Sequence, residues 1–185
     1  MRFPHAFVPN SLAEGPDESV VFGSLTDWKD NPSGKIRYFS GTARYVKVLD
    51  GLKHSEGERL VLDLGAVREV ARVTVNGMAY PSLWKPPFEV DITAAATGGV
   101  ARIEVDVANL WPNRLIGDDR LCAEDCTWGR DGGIEGIPDW VKAGRKSPTG
   151  RVTFTTWKHW RKADSLLPSG LLGPVSVRVE RRLGD

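Results

Sequence analysis

Four stretches of period-two alternation constrain this chain more than anything else in it. Thr42-Ala-Arg-Tyr-Val-Lys-Val-Leu49, Arg59-Leu-Val-Leu-Asp-Leu64, Val70-Ala-Arg-Val-Thr-Val75 and Val100-Ala-Arg-Ile-Glu-Val-Asp-Val107 send apolar and polar side chains to opposite sides in turn. Successive side chains of a strand point to opposite faces, so each stretch predicts a half-buried β-strand with one wet face. The third runs straight into Asn76-Gly77, a pair suited to the positive backbone angles of a tight hairpin. Met78–Trp84 is the expected return strand. Pro86–Thr93 follows and turns at Asp91, whose carboxylate is expected to accept backbone N–H bonds there. Phe3–Leu12, with Pro4 and Pro9 tolerated at an edge, Val152–Trp157 and Gly170–Val179 complete the expected strands. Leu25–Gly34 is dense in turn formers, and Ala94–Gly99 has room for at most one helical turn. About nine short strands with almost no helix predict an all-β fold, a two-sheet antiparallel jelly-roll β-sandwich.

The 185 residues suit a single domain, residues 1–185, carrying a long loop insertion over residues 111–150 that lacks any periodicity. Lys plus Arg number 25 and Asp plus Glu 24, a balance that leaves no nucleic-acid footprint and no polybasic membrane patch. No apolar run approaches membrane-spanning length. The start, MRFPHAFVPNSLAEG, lacks a charged segment followed by an apolar one, so a cytoplasmic location is expected for the chain as it stands. Cys122 and Cys126 lie four apart without a second pair, and His5, His54 and His159 are scattered. Zinc is therefore not expected, and the two cysteines read as free thiols or one local disulfide. No cofactor is predicted; calcium would suit a carbohydrate-binding sandwich, but no oxygen-ligand motif assembles.

A strand ends at Asn109, and its last residues launch the long segment: Asn109-Leu-Trp-Pro-Asn-Arg-Leu-Ile-Gly-Asp-Asp119. Trp111, Asn113, Arg114, Asp118 and Asp119 supply an aromatic face, an amide, a guanidinium and carboxylates, the groups that contact sugars. The same residues would equally anchor the loop, with Arg114 paired to Asp118 or Asp119. Seven Trp in so small a domain are more than a core needs. Sugar recognition combines flat apolar faces with planar polar groups in a concavity. The candidates for it are Trp84, Trp111, Asn113, Arg114, Trp128, Trp157, His159 and Trp160.

Further motifs carry a resemblance. Leu62-Asp-Leu-Gly65, Val73-Thr-Val-Asn-Gly77, Leu83-Trp84, Pro87-Phe-Glu-Val-Asp-Ile-Thr93 and Val105-Asp-Val-Ala-Asn109 together resemble the galactose-binding-like jelly roll of family-2 glycosidases. Ile36-Arg-Tyr-Phe-Ser-Gly-Thr-Ala-Arg-Tyr45, Asn109–Asp118, Phe154-Thr-Thr-Trp157 and Ser169-Gly-Leu-Leu-Gly-Pro174 resemble, more closely, the C-terminal sandwich of α-L-rhamnosidase-like enzymes of glycoside hydrolase family 106. The likeness runs from Leu25 to Val179 in order. It implies a galactose-binding-domain-like sandwich associated with carbohydrate, while the catalytic barrel of those enzymes has no counterpart in these residues.

Three functions fit. The first is a carbohydrate-recognising sandwich with a mono- or oligosaccharide partner. The second is a small stand-alone glycoside hydrolase acting on galactosides or rhamnosides, for which a chain beginning with Met and holding a whole sandwich would be sufficient. Such chemistry needs two carboxyl groups, one of them kept protonated beside an apolar surface. Asp118, Asp119, Glu124 and Glu135 are the candidates, with Asp125, Asp131 and Asp139 also in the segment. The third is a structural or oligomerising sandwich, since exposed sheet edges can pair between chains.

Overall fold

The computed structural model describes residue 15 and residues 19–181; the edge strand expected at Phe3–Leu12 lies outside them. In chain order the strands are β1 (Thr42–Leu49), β2 (Glu58–Asp63), β3 (Ala66–Arg68), β4 (Val70–Val75), β5 (Met78–Ala79), β6 (Glu89–Asp91), β7 (Ala101–Ala108), β8 (Gly170–Gly173) and β9 (Ser176–Arg181). Short helices α1 (Gly34–Arg37), α2 (Pro112–Leu121) and α3 (Asp139–Lys142) interrupt them. One sheet has the order β1-β7-β4-β5, the facing sheet β6-β2-β9, and β3 pairs with β8 beside them. All of these pairings are antiparallel. The expected all-β, two-sheet antiparallel sandwich is therefore the fold.

The alternation explains the layers. Ala43 and Tyr45 of β1, Ala71, Val73 and Val75 of β4, and Ala101, Ile103, Val105 and Val107 of β7 all point inward and are buried. They meet Leu60 and Leu62 of β2, Leu64, Val90 of β6 and Ile92. The opposite faces are charged ladders. Arg44 lies across from Asp106 and donates to both its oxygens, at 2.6 and 2.8 Å. On the other sheet Arg178 reaches Asp63 at 3.1 Å and Glu89 at 2.7 Å.

One core residue arrives from outside the alternating strands. Trp28, within the stretch expected only to turn, is completely buried. Its indole stacks on Tyr45 at 6.4 Å and meets Phe39 edge-on at 5.6 Å. Its Nε1 donates to the Tyr45 hydroxyl at 2.6 Å, which also accepts from Leu171 N at 3.0 Å. Burial pushes the Tyr45 phenol up to about 12, so it stays neutral there.

The Asn76-Gly77 hairpin forms as expected, with φ of 47° and 86°. Its return strand is shorter than Met78–Trp84, since only Met78–Ala79 pairs continuously and Leu83 adds an isolated bridge to Ala71. Asn76 does more than turn the chain. Its Nδ2 donates to Ala95 O and Val100 O, both at 2.8 Å, and its Oδ1 accepts from Arg102 N at 2.8 Å. Asn76→Ala is expected to cost about 1–3 kcal/mol through these unsatisfied backbone groups. Thermal unfolding would read this as a clearly lower midpoint, and an unchanged midpoint would rule the staple out.

Candidate functional site

The polar segment leaves the sandwich at Asn109 and returns at Ser169. Asn109 staples the exit: its Oδ1 accepts from Gly41 N at 2.9 Å and its Nδ2 donates to Phe39 O at 2.7 Å. Residues 112–121, expected to be loop, form α2. Pro112 opens the helix where a missing N–H costs nothing. The helix hides a polar face, burying Asn113, Arg114, Ile116, Gly117 and Asp118.

That face accounts for three of the predicted site residues. Asn113 exchanges two bonds with Leu167, Nδ2 to O and N to Oδ1, both 2.8 Å. Arg114 donates to Asp118 Oδ1 at 2.6 Å, and its guanidinium sits 5.8 Å from the Tyr38 ring centre. Asp118 is wholly buried, and its Oδ2 accepts from Val152 N at 3.0 Å, Thr153 N at 2.8 Å and Thr153 Oγ1 at 2.6 Å. Asn113 and Asp118 tie α2 to the two stretches that follow it, and Arg114 holds Asp118 from within the helix. The strand expected at Val152–Trp157 does not form a ladder, because its first amides bond to the Asp118 carboxylate instead of to a neighbouring strand.

Asp119, one residue on, faces the other way into a cleft. Asp119, Asp125, Cys126, Trp128, Arg151, Lys158, Trp157, His159 and Trp160 line it, with Glu124 at its edge. The structure therefore brings together four of the predicted recognition residues, Trp128, Trp157, His159 and Trp160, and two of the predicted carboxylates. Trp84 and Trp111 do not line it. Trp84 is 69% exposed elsewhere, with the Lys85 ammonium 5.1 Å over its ring, and Trp111 precedes α2. Glu135 is exposed and outside the lining. Ile137 is half exposed, and Trp140 packs edge-on to Phe154 at 5.9 Å.

The cleft is held by charge. Asp119 accepts from Arg151 Nη2 at 3.1 Å, Lys158 Nζ at 3.0 Å and Lys162 N at 2.7 Å. Glu124 takes a second bond from Lys158 and accepts from Trp128 Nε1 at 2.8 Å. Asp125 accepts from Ser147 Oγ at 2.5 Å and lies 3.9 Å from Arg151. Sequence reasoning missed Arg151 and Lys158 as counter-ions. The signal for them was the basic run after residue 141 following an acidic one. The cavity among these groups holds only about 30 Å³, against roughly 300 Å³ and upward for ligand pockets.

Burial would raise the Asp119 carboxyl, but bonds from Lys158 and the Lys162 amide outweigh it and hold the group below its usual value. Lys158 is moved up in turn: burial would lower it, and its bonds to Glu124 and Asp119 prevail. A depressed carboxyl stabilises the fold above its unfolded value and loses that contribution as pH falls through the folded one. A raised amine contributes below its unfolded value and stops as pH rises through the folded one. Lys158→Met should consequently flatten the fall in thermal midpoint between pH 5 and pH 2. A fall as steep as in the parent protein would exclude the pair as its source.

Among the described residues, no group of three or more His, Cys, Asp or Glu side chains is placed to hold a metal ion. No helix among them is long and apolar enough to cross a membrane. Cys122 and Cys126 are free and partly buried, with burial pushing both thiols up.

No protein-family model matches the chain. A curated protein of Formosa agariphila named "Putative beta-glucuronidase" is 45% identical over 162 residues, which cover 86% of this chain. A solved rhamnosidase from Novosphingobium sp. PP1Y matches 92% of the chain at 32% identity with a TM-score of 0.71. The chain spans only 14% of the length of each. It is a β-sandwich related to a segment of these much longer glycosidases.

Proposed function

We propose that this chain is a carbohydrate-recognising sandwich of the accessory kind, akin to the C-terminal sandwich of family 106 rhamnosidase-like enzymes, and that it lacks an acid–base pair of its own. The observation that carries the reading is a division of labour in the polar segment. Its buried carboxylates are fully occupied, while three of its tryptophans, Trp128, Trp157 and Trp160, line one cleft with part of their faces open. The rhamnosidase likeness, at 32% identity over 92% of the chain, supports the kinship.

The hydrolase alternative meets a chemical difficulty. A glycosidase needs one carboxyl held protonated near neutral pH. Asp118 accepts four hydrogen bonds with no exposed surface. Asp119 is shifted towards the ionised form. Glu124 is engaged by Lys158 and by Trp128 Nε1 and lies 3.6 Å from Arg151. The purified chain should quench its tryptophan fluorescence saturably on adding methyl glycosides and release no nitrophenol from aryl galactosides or rhamnosides. Turnover abolished by Asp119→Asn would overturn the binding reading in favour of catalysis.

A further inference from the structure

Trp157 differs from the other exposed tryptophans in how it is held. The Gly129–Gly133 turn closes through Gly129 N to Gly133 O at 2.8 Å and Gly132 N to Gly129 O at 3.0 Å. Its Gly132 and Gly133 lie so close to the indole that a Cβ on either would stand 3.7 or 3.6 Å from it. Bare backbone therefore backs this ring at van der Waals distance. The ring's own backbone is pinned as well. Trp157 O accepts from Thr155 Oγ1 and from His159 N, both at 3.1 Å, and Lys158 N donates to Gly132 O at 2.9 Å. His159 stands beside the indole at 6.2 Å. Trp157 is nonetheless 45% exposed. A flat apolar surface fixed from behind and open in front loses little freedom when a ring settles on it.

The charges beside it set what kind of ring can settle. Arg151 and Lys158 are the cations of the cleft lining, and both are committed: Arg151 to Asp119, Glu124 and Asp125, Lys158 to Asp119 and Glu124. Three carboxylates share two cations. An incoming carboxylate would find neither cation free and would approach a surplus negative charge, and like charges brought together oppose association.

We infer that the open face of Trp157 is a stacking subsite for a neutral pyranose and that the adjoining ion cluster selects against uronates. This rests on the carbohydrate-recognition reading and adds the ligand's charge class to it. Fluorescence titrations of the intact chain with methyl α-L-rhamnoside, methyl β-D-galactoside and methyl β-D-glucuronide at one ionic strength decide it. At least one neutral glycoside should bind ten-fold or more tightly than the glucuronide. Trp157→Ala should remove that binding, whereas Trp84→Ala should retain it. Glu124→Gln, which withdraws one of the three carboxylates, should narrow the gap between neutral glycoside and glucuronide. If the glucuronide alone binds, or binds as tightly as the neutral sugars, this inference falls while carbohydrate recognition stands. If Trp157→Ala binds as the parent does, the subsite is elsewhere. If none of the three binds at millimolar concentration, the recognition reading falls and takes the inference with it.

Discussion

Asp118→Ala is expected to destabilise the protein by about 3–5 kcal/mol, the range seen when one partner of a buried ion pair is removed. The Arg114 guanidinium, 7% exposed, would keep its charge without its counter-ion. Its Nε already has no hydrogen-bond partner. Val152 N, Thr153 N and the Thr153 hydroxyl would lose their acceptor at the same time. For a chain of this size the loss corresponds to a fall of about 6–20 °C in thermal midpoint. Asp118→Asn keeps an oxygen for Thr153 but not the charge, so it should fall between the two. Replacing Arg114 and Asp118 together by a matched apolar pair should cost less than Asp118→Ala alone, since no charge is then stranded. A midpoint unchanged by Asp118→Ala would refute the anchoring role and reopen the residue as a chemical one.

Trp28→Ala is expected to have a comparable effect, about 3–5 kcal/mol, as large-to-small changes of buried aromatics do. The indole fills the space between β1 and β8, and its loss would also leave the buried Tyr45 hydroxyl without one of its two donors. Gly170 offers an independent check on the same contact. A Cβ there would fall 2.5 Å from Trp28 Nε1, and φ is +95°, where a side chain is strained in any case. Gly170→Ala should therefore be severe in the parent protein and milder on the Trp28→Ala background, because the clash disappears and only the backbone strain stays. Equal costs on both backgrounds, measured by denaturant unfolding, would show that indole and glycine do not press on each other.

These two residues mark where the sequence speaks and where it does not. The strands β1, β4 and β7 were legible because one face is apolar and the other wet, a pattern with a period of two, and β2 because Leu60 and Leu62 keep that period although Val61 between them is buried as well. Trp28 was not, because a single large side chain in a run of turn formers has no period at all. The helix α2 escaped for a different reason. Its hidden face is made of Asn113, Arg114 and Asp118 as much as of Ile116, so hydrophobic periodicity has nothing to register. The site was half legible. Excess tryptophan and carboxylate pointed to this segment, and Trp128, Trp157, His159, Trp160 and Asp119 do share a cleft in it. Which carboxylates turn inward as anchors and which turn to the cleft depends on the register of α2, where Asp118 and Asp119 diverge.

The clamp at the mouth of the polar segment has a consequence for variation in length. Asn113 grips Leu167 with two bonds and reaches towards Ser169 at 3.4 Å, so the start and finish of a long excursion are fastened side by side. The entropic penalty for closing a loop grows only with the logarithm of its length. Residues beyond the ion cluster, such as the exposed Arg145-Lys146 turn, can therefore be extended or exchanged with little disturbance to the two sheets. The sandwich acts as a frame and the excursion as an insert, so the excursion can change in length without the frame having to be refolded.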